Sequence, residues 1–146
     1  MHKLLAIGLL SCALASLFAC GKKAPSDEDL LEQFVRDVTG KADEALVQRA
    51  IGYTALDSLP IDVRVPHYAG VYDASQRDEL FREFRQRMER HFYQTVIDVR
   101  SQKIELHGAD ADIRLGLMTA VGPLHAEFGM HKLGAQWKVQ RVYVDL

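Results

Sequence analysis

From Gln94 onward the apolar residues recur at every second position, and this period of two constrains the fold more than any other feature of the chain. Four strand-like runs follow, Thr95–His107, Asp112–Val121, Leu124–Leu133 and Gln136–Asp145. They are separated by Gly108-Ala109-Asp110, Gly122-Pro123 and Gly134-Ala135. Short glycine-containing connections make hairpins, so the runs predict an antiparallel meander. Leu124, Ala126, Phe128 and Met130 form one apolar side, and His125, Glu127 and His131 share the other. Ile113, Leu115, Leu117 and Val121 alternate in the same way with Arg114, Gly116, Met118 and Ala120. The last run changes parity: Trp137 and Val139 fall on one phase, Val142 and Val144 on the other. A β-bulge near Gln140–Arg141 reconciles the two and bends the sheet.

Ahead of the strands the period is helical. Pro25-Ser26-Asp27-Glu28-Asp29 reads as a helix start, with Ser26 as N-cap and acids in the first turn. Leu30, Leu31, Phe34, Val35 and Val38 make one apolar face, and Gly40 is expected to close the helix in a left-handed conformation. A second helix is expected from Lys41 to Ala50, with Ala42, Ala45, Leu46 and Ala50 inward. Tyr53 to Ser75 contains Pro60 and Pro66 and reads as a loop with one short strand at Ile61–Val65. A third helix is expected from Ser75 or Gln76, with Leu80, Phe81, Phe84, Met88 and Phe92 as its apolar stripe. Its charges alternate in sign, as on a solvated face, so it is no nucleic-acid surface.

Helices followed by a curved four-stranded antiparallel meander give an α+β class. With the closing Leu133-Gly134-Ala135-Gln136-Trp137-Lys138-Val139-Gln140-Arg141-Val142, residues 27–146 resemble the nuclear-transport-factor-2-like superfamily, the cystatin-like α+β roll. The resemblance implies a cone-shaped roll with a pocket at its open end. It also implies, for the superfamily's ketosteroid isomerase-like and polyketide cyclase-like enzymes, a carboxylate or histidine with a tyrosine donor inside the cone. Tyr53, Asp57, His67, Tyr68 and Tyr72 are the candidates for such a pocket, because irregular segments bring polar tips to pocket mouths. In this superfamily two copies often join through the open sheet face, so a homodimer is an expectation.

The front of the chain carries an address. His2 and Lys3 precede an apolar run, Leu4–Phe18, too short to span a bilayer, which needs roughly 20 residues. Leu17-Phe18-Ala19-Cys20 resembles the lipobox of bacterial lipoproteins. That resemblance implies removal of residues 1–19, a diacylglyceryl thioether on Cys20 and acylation of its new amino group. Several acyl chains on one residue anchor stably. Gly21, where an aspartate tends to favour inner-membrane retention, points to the periplasmic face of the outer membrane, with the inner membrane as the alternative. Residues 20–26 then form a lipidated tether of only about 20 Å, and Lys22 and Lys23 lie where anionic head groups would be.

Composition narrows the chemistry. The chain carries 18 basic and 20 acidic residues and a net charge of −2, which argues against a nucleic-acid partner. Of its two cysteines, Cys12 leaves with the leader and Cys20 carries lipid, so thiol nucleophiles, cysteine–zinc sites and disulfides are excluded from the domain. His125 and His131 lie about 20 Å apart along an extended strand, too far for one metal ion. No metal and no cofactor are expected. The expected function is a non-catalytic binding or accessory module of the cell envelope, taking a small apolar ligand or an envelope protein. The alternatives are an immunity or inhibitor lipoprotein against a periplasmic toxin, and an isomerase- or dehydratase-like enzyme.

Overall fold

The computed structural model describes residues 23–40, 46–65, 68–76, 78–79, 82 and 96–145. Ser26 opens the first helix, α1 (Asp27–Thr39), through a capping box. Its hydroxyl accepts from the Asp29 amide at 3.2 Å, and the Asp29 carboxylate accepts from the Ser26 amide at 2.8 Å. These bonds use amides that a helix start leaves unpaired. Leu31, Phe34, Val35 and Val38 are buried. Gly40 closes the helix with φ −84° and ψ −10°, not in the expected left-handed region. Glycine is required there by contact instead: a Cβ would lie 2.4 Å from the Arg36 carbonyl oxygen.

The second helix, α2 (Leu46–Ile51), buries Leu46, Ala50 and Ile51. The expected first turn, with Ala42 and Ala45, lies outside the described residues. Arg49 reaches back and its Nε donates to the Val38 carbonyl at 2.7 Å, satisfying one of the open acceptors of α1. Of the expected third helix, Asp78, Glu79 and Arg82 are helical and follow a 3-10 turn at Ala74–Gln76. Its apolar stripe lies outside the described residues.

Among the described residues the sheet has six strands and is mixed, where an antiparallel meander of four was expected. The strands are β1 (Ile61–Val65), β2 (Tyr68–Tyr72), β3 (Val96–His107), β4 (Asp110–Thr119), β5 (Gly122–Leu133) and β6 (Gln136–Asp145). Their spatial order is β2-β1-β6-β5-β4-β3. Strands β3 to β6 are successive antiparallel neighbours. The segment read as mostly loop is the hairpin β1–β2, with Ile61 opposite Tyr72 and Val65 opposite Tyr68. Pro60 and Pro66 bracket β1 rather than break it. Strand β1 then runs parallel to β6, Val63 beside Val142. Val121, expected inward, is 74% exposed because β4 ends at Thr119 and the chain turns.

The bulge lies where the parity change requires it. Met130 pairs with Val139 and Gly129 with Arg141, so Gln140 is the extra residue of β6. Trp137, Val139, Val142 and Val144 are all buried as a result. Helix meets sheet through Phe34, whose ring stands edge-on to Phe128 at 5.2 Å and to Tyr53 at 4.9 Å. Such edge-to-face contacts add to the apolar area both rings bury. At the other end of α1, Asp27 sits 2.7 Å from Lys132 Nζ and accepts from the Trp137 indole at 3.1 Å. This ties the first turn of the helix to the β5–β6 hairpin.

Two outcomes follow. Deleting Gln140 must turn either Trp137 and Val139 or Val142 and Val144 out of the core, so the chain should lose its cooperative thermal transition. Gln140→Ala keeps the residue count and should stay within about 0.5 kcal/mol of the parent in urea unfolding. The Lys132 hydrogen bond, with help from Trp137, holds the Asp27 carboxyl below the usual carboxylate range. A lowered folded-state pKa contributes stability above the unfolded value of about 3.9 and loses it as pH falls through the lowered one. Asp27→Asn should therefore flatten the acid side of the stability–pH curve below about pH 4. The check is the urea midpoint measured across that range, and an unchanged acid limb would refute the assignment.

Candidate functional site

Residues directly opposite in paired strands share a face. The register therefore defines an outer face, away from α1, that spans the meander. Outward residues are Ser101, Lys103, Glu105 and His107 on β3, opposite Gly116, Arg114, Asp112 and Asp110 on β4. Beyond them lie His125, Glu127, Gly129 and His131 on β5, opposite β4, and Asp145, Tyr143 and Arg141 on β6.

This face is a lattice of ion pairs. Arg114 donates to Glu105 at 2.9 Å and to Glu127 at 2.8 Å, linking three strands. Lys103 lies 2.9 Å from Glu105 and, with Arg114, holds that carboxyl below the usual range. His131 Nδ1 is 2.6 Å from Asp110. Arg141 crosses the whole width of β5 to donate to Asp112 at 2.7 Å. Gly129 allows that crossing, since a Cβ there would lie 3.1 Å from the Arg141 Cβ and 3.4 Å from its guanidinium carbon. Each exposed pair contributes about 0–1 kcal/mol, so the lattice shapes the surface more than it stabilises the fold.

One gap opens in this lattice. Gly116 has no side chain, with Ser101 on one side and His125 on the other, and Asp145 lies opposite His125. The result is a groove of about 290 Å³, walled by Lys103, Arg114, Glu127 and Tyr143. The Ser101 hydroxyl leans over the glycine, where a Cβ would come within 2.5 Å of Oγ. Tyr143 offers a ring that is 40% exposed. Hydroxyl, imidazole and carboxylate thus stand in one row across four strands. Ser101 and His125 flank Gly116 from opposite sides, so the row sets donors and acceptors side by side.

Of the sequence-derived pocket residues, Tyr53, Asp57 and Tyr72 do not line this groove. Tyr53 is an anchor: its ring packs on Phe34, its hydroxyl donates to Asp37, and its carbonyl accepts from the Val139 amide at 3.0 Å. Asp37 lies on the exposed side of α1, so the tyrosine and carboxylate meet at the surface and not inside a cone. Tyr72 is buried in the core beside β1. Asp57 is exposed in the turn after α2. Tyr68 opens β2 and is described by its backbone alone, while His67 and Cys20 lie outside the described residues. Sequence reading missed Ser101, Lys103, Arg114, Gly116, Tyr143 and Asp145. Their signal was the hairpin loops, which fix the register and hence the opposite residues. Among the described residues no three His, Cys, Asp or Glu side chains are grouped to hold a metal ion. Among them no helix is long and apolar enough to cross a membrane.

No protein-family model matches the chain, and no curated protein matches it by sequence. Solved structures do match in fold. A protein of unknown function with a cystatin-like fold from Nostoc punctiforme PCC 73102 superposes with a TM-score of 0.52 at 11% identity, covering 82% of this chain and 93% of that one. An NTF2-like protein of unknown function from Shewanella baltica OS155 gives 0.50 at 11% identity, covering 80% and 90%. A DUF4783 family protein from Bacteroides ovatus ATCC 8483 gives 0.50 at 14% identity, covering 75% and 91%. The chain therefore has the NTF2-like, cystatin-like α+β fold. At these identities the likeness is one of fold alone, and function rests on the site.

The Tyr53 clamp has a spectroscopic signature. Burial pushes its hydroxyl up to about 12, and the bond to Asp37 acts in the same direction. A raised pKa means that the contact contributes stability below the unfolded value of about 10 and loses it as pH climbs through the folded value. In an ultraviolet titration one tyrosine should ionise about two units late, and Tyr53→Phe should remove that late step. A single titration step shared by all tyrosines would contradict the clamp.

Proposed function

We propose that this chain is a lipid-anchored periplasmic lipoprotein that acts as a non-catalytic accessory module, docking an envelope protein on the outer face of its sheet. The observation that carries this reading is the groove over Gly116 set in a lattice of cross-strand ion pairs. Charges already paired within the protein give a partner position and register more than bulk affinity. The groove supplies a concave point on this face where a partner side chain could be seated. Lys103, Arg114 and Glu127 stand along the groove, where they would orient a partner side chain by charge. The lipobox ending at Cys20 supports the anchor, and the short tether before α1 would keep the face close to the bilayer.

The test is photocrosslinking in cells of a producing bacterium. A photoreactive residue replacing His125 should give one discrete adduct with an envelope protein, and the same residue replacing Gln33 on α1 should not. Adding Gly116→Val fills the groove and should abolish the His125 adduct while leaving the thermal transition in place. Cys20→Ala should abolish incorporation of labelled palmitate into the protein. Equal adducts from both positions, or unchanged palmitate labelling of Cys20→Ala, would overturn the reading.

A further inference from the structure

Strand β3 is the edge of the sheet, and no strand among the described residues pairs with its outer side. Its 12 residues are a long edge by ordinary standards. The first half is disrupted, because register shifts make Ile97 and Arg100 extra residues. The second half is regular: Ser101 to His107 pair without interruption with Gly116 to Asp110. Bulges deter pairing, so only this seven-residue segment is open to a further strand.

The regular segment has a particular symmetry. Side-chain direction and hydrogen-bonding direction both alternate with a period of two. Two copies of one strand, paired antiparallel about a two-fold axis, must therefore have that axis pass through a residue. The centre of Ser101–His107 is Ile104. An axis there sets Lys103 of each copy opposite Glu105 of the other, on the outer face. An axis through Lys103 would oppose lysine to lysine, and one through Glu105 would oppose glutamate to glutamate. On the core side the same axis sets Ile104 against Ile104, and Gln102 against Leu106. Leu106 faces the core layer beside buried Ala111 yet is 38% exposed, so a partner strand would cover it.

We infer that β3 pairs antiparallel with β3 of a second copy of this chain about a two-fold axis at Ile104, joining two six-stranded sheets into one. Span and charge select the same axis independently, and the pairing covers the exposed Leu106. The contact uses the edge of the sheet and leaves the Gly116 grooves of both copies facing outward. It does not depend on the proposed partner of those grooves.

The experiment uses the whole chain purified in detergent, under mild oxidant, with the unsubstituted protein as baseline. Opposed residues lie about 5 Å apart at Cα, within disulfide reach, whereas Gln102 and its copy lie about 14 Å apart. Ile104→Cys should give a disulfide-linked dimer on a non-reducing gel. Gln102→Cys should not, until Leu106→Cys is added to the same chain. Sedimentation provides a second readout on exposed positions that leave the core untouched. Lys103→Glu should weaken self-association about tenfold, and adding Glu105→Lys should restore it. A monomeric unsubstituted chain, equal crosslinking at positions 102 and 104, or failure of the double charge swap would each overturn the inference.

Discussion

One extra residue in the last strand sets most of what this molecule presents to solvent and to itself. Without Gln140 the ten residues of β6 could bury Trp137 and Val139 or Val142 and Val144, but not both pairs. With it, all four enter the core. The same step turns Arg141 outward over Gly129 and places it beside Asp62 of β1. The parallel pairing of β1 begins there, beyond the bulge. Core, outer face and strand count share this one irregularity.

The meander was legible because its information is local. Alternation names each strand, glycine loops name each hairpin, and a parity conflict within ten residues names the bulge. The N-cap at Ser26 was equally local. The β1–β2 hairpin was not legible as a whole. Tyr68-Ala69-Gly70-Val71-Tyr72 carries a weak alternation, and the strand that joins this hairpin to the rest of the sheet through β1, β6, lies about eighty residues beyond β1. Parallel pairing at that separation leaves no local trace. Gly40 shows a different failure. A glycine after a helix usually serves a left-handed cap, whereas here it avoids the Arg36 carbonyl, a contact that sequence does not display.

The site followed the same logic. Tyrosines in an irregular segment looked like a pocket mouth, but amphipathic rings also clamp loops, and Tyr53 does so between Phe34, Asp37 and Val139. The outer-face residues looked like an ordinary solvated side of a sheet, and residue type alone supports nothing more. What distinguishes them is which residue stands opposite which. Gly108-Ala109 fixes His107 against Asp110, and each later pair of that hairpin then follows by counting to Ser101 and Gly116. The register was therefore computable from the loops. The ion pairs were not, because each outward cation has several anions within reach and only side-chain packing chooses among them.

The two outward glycines of the meander show why a groove exists at one place and not the other. Both remove a side chain from a crowded polar face. At Gly129 the space is taken by Arg141, whose long side chain lies across it to reach Asp112. At Gly116 the flanking residues are Ser101, whose short hydroxyl only leans in, and His125, which makes no such crossing. A longer cation at position 101 could lie across Gly116 as Arg141 lies across Gly129. The serine leaves the glycine uncovered, and an uncovered glycine set in a lattice of paired charges is the geometry that admits a side chain from another molecule.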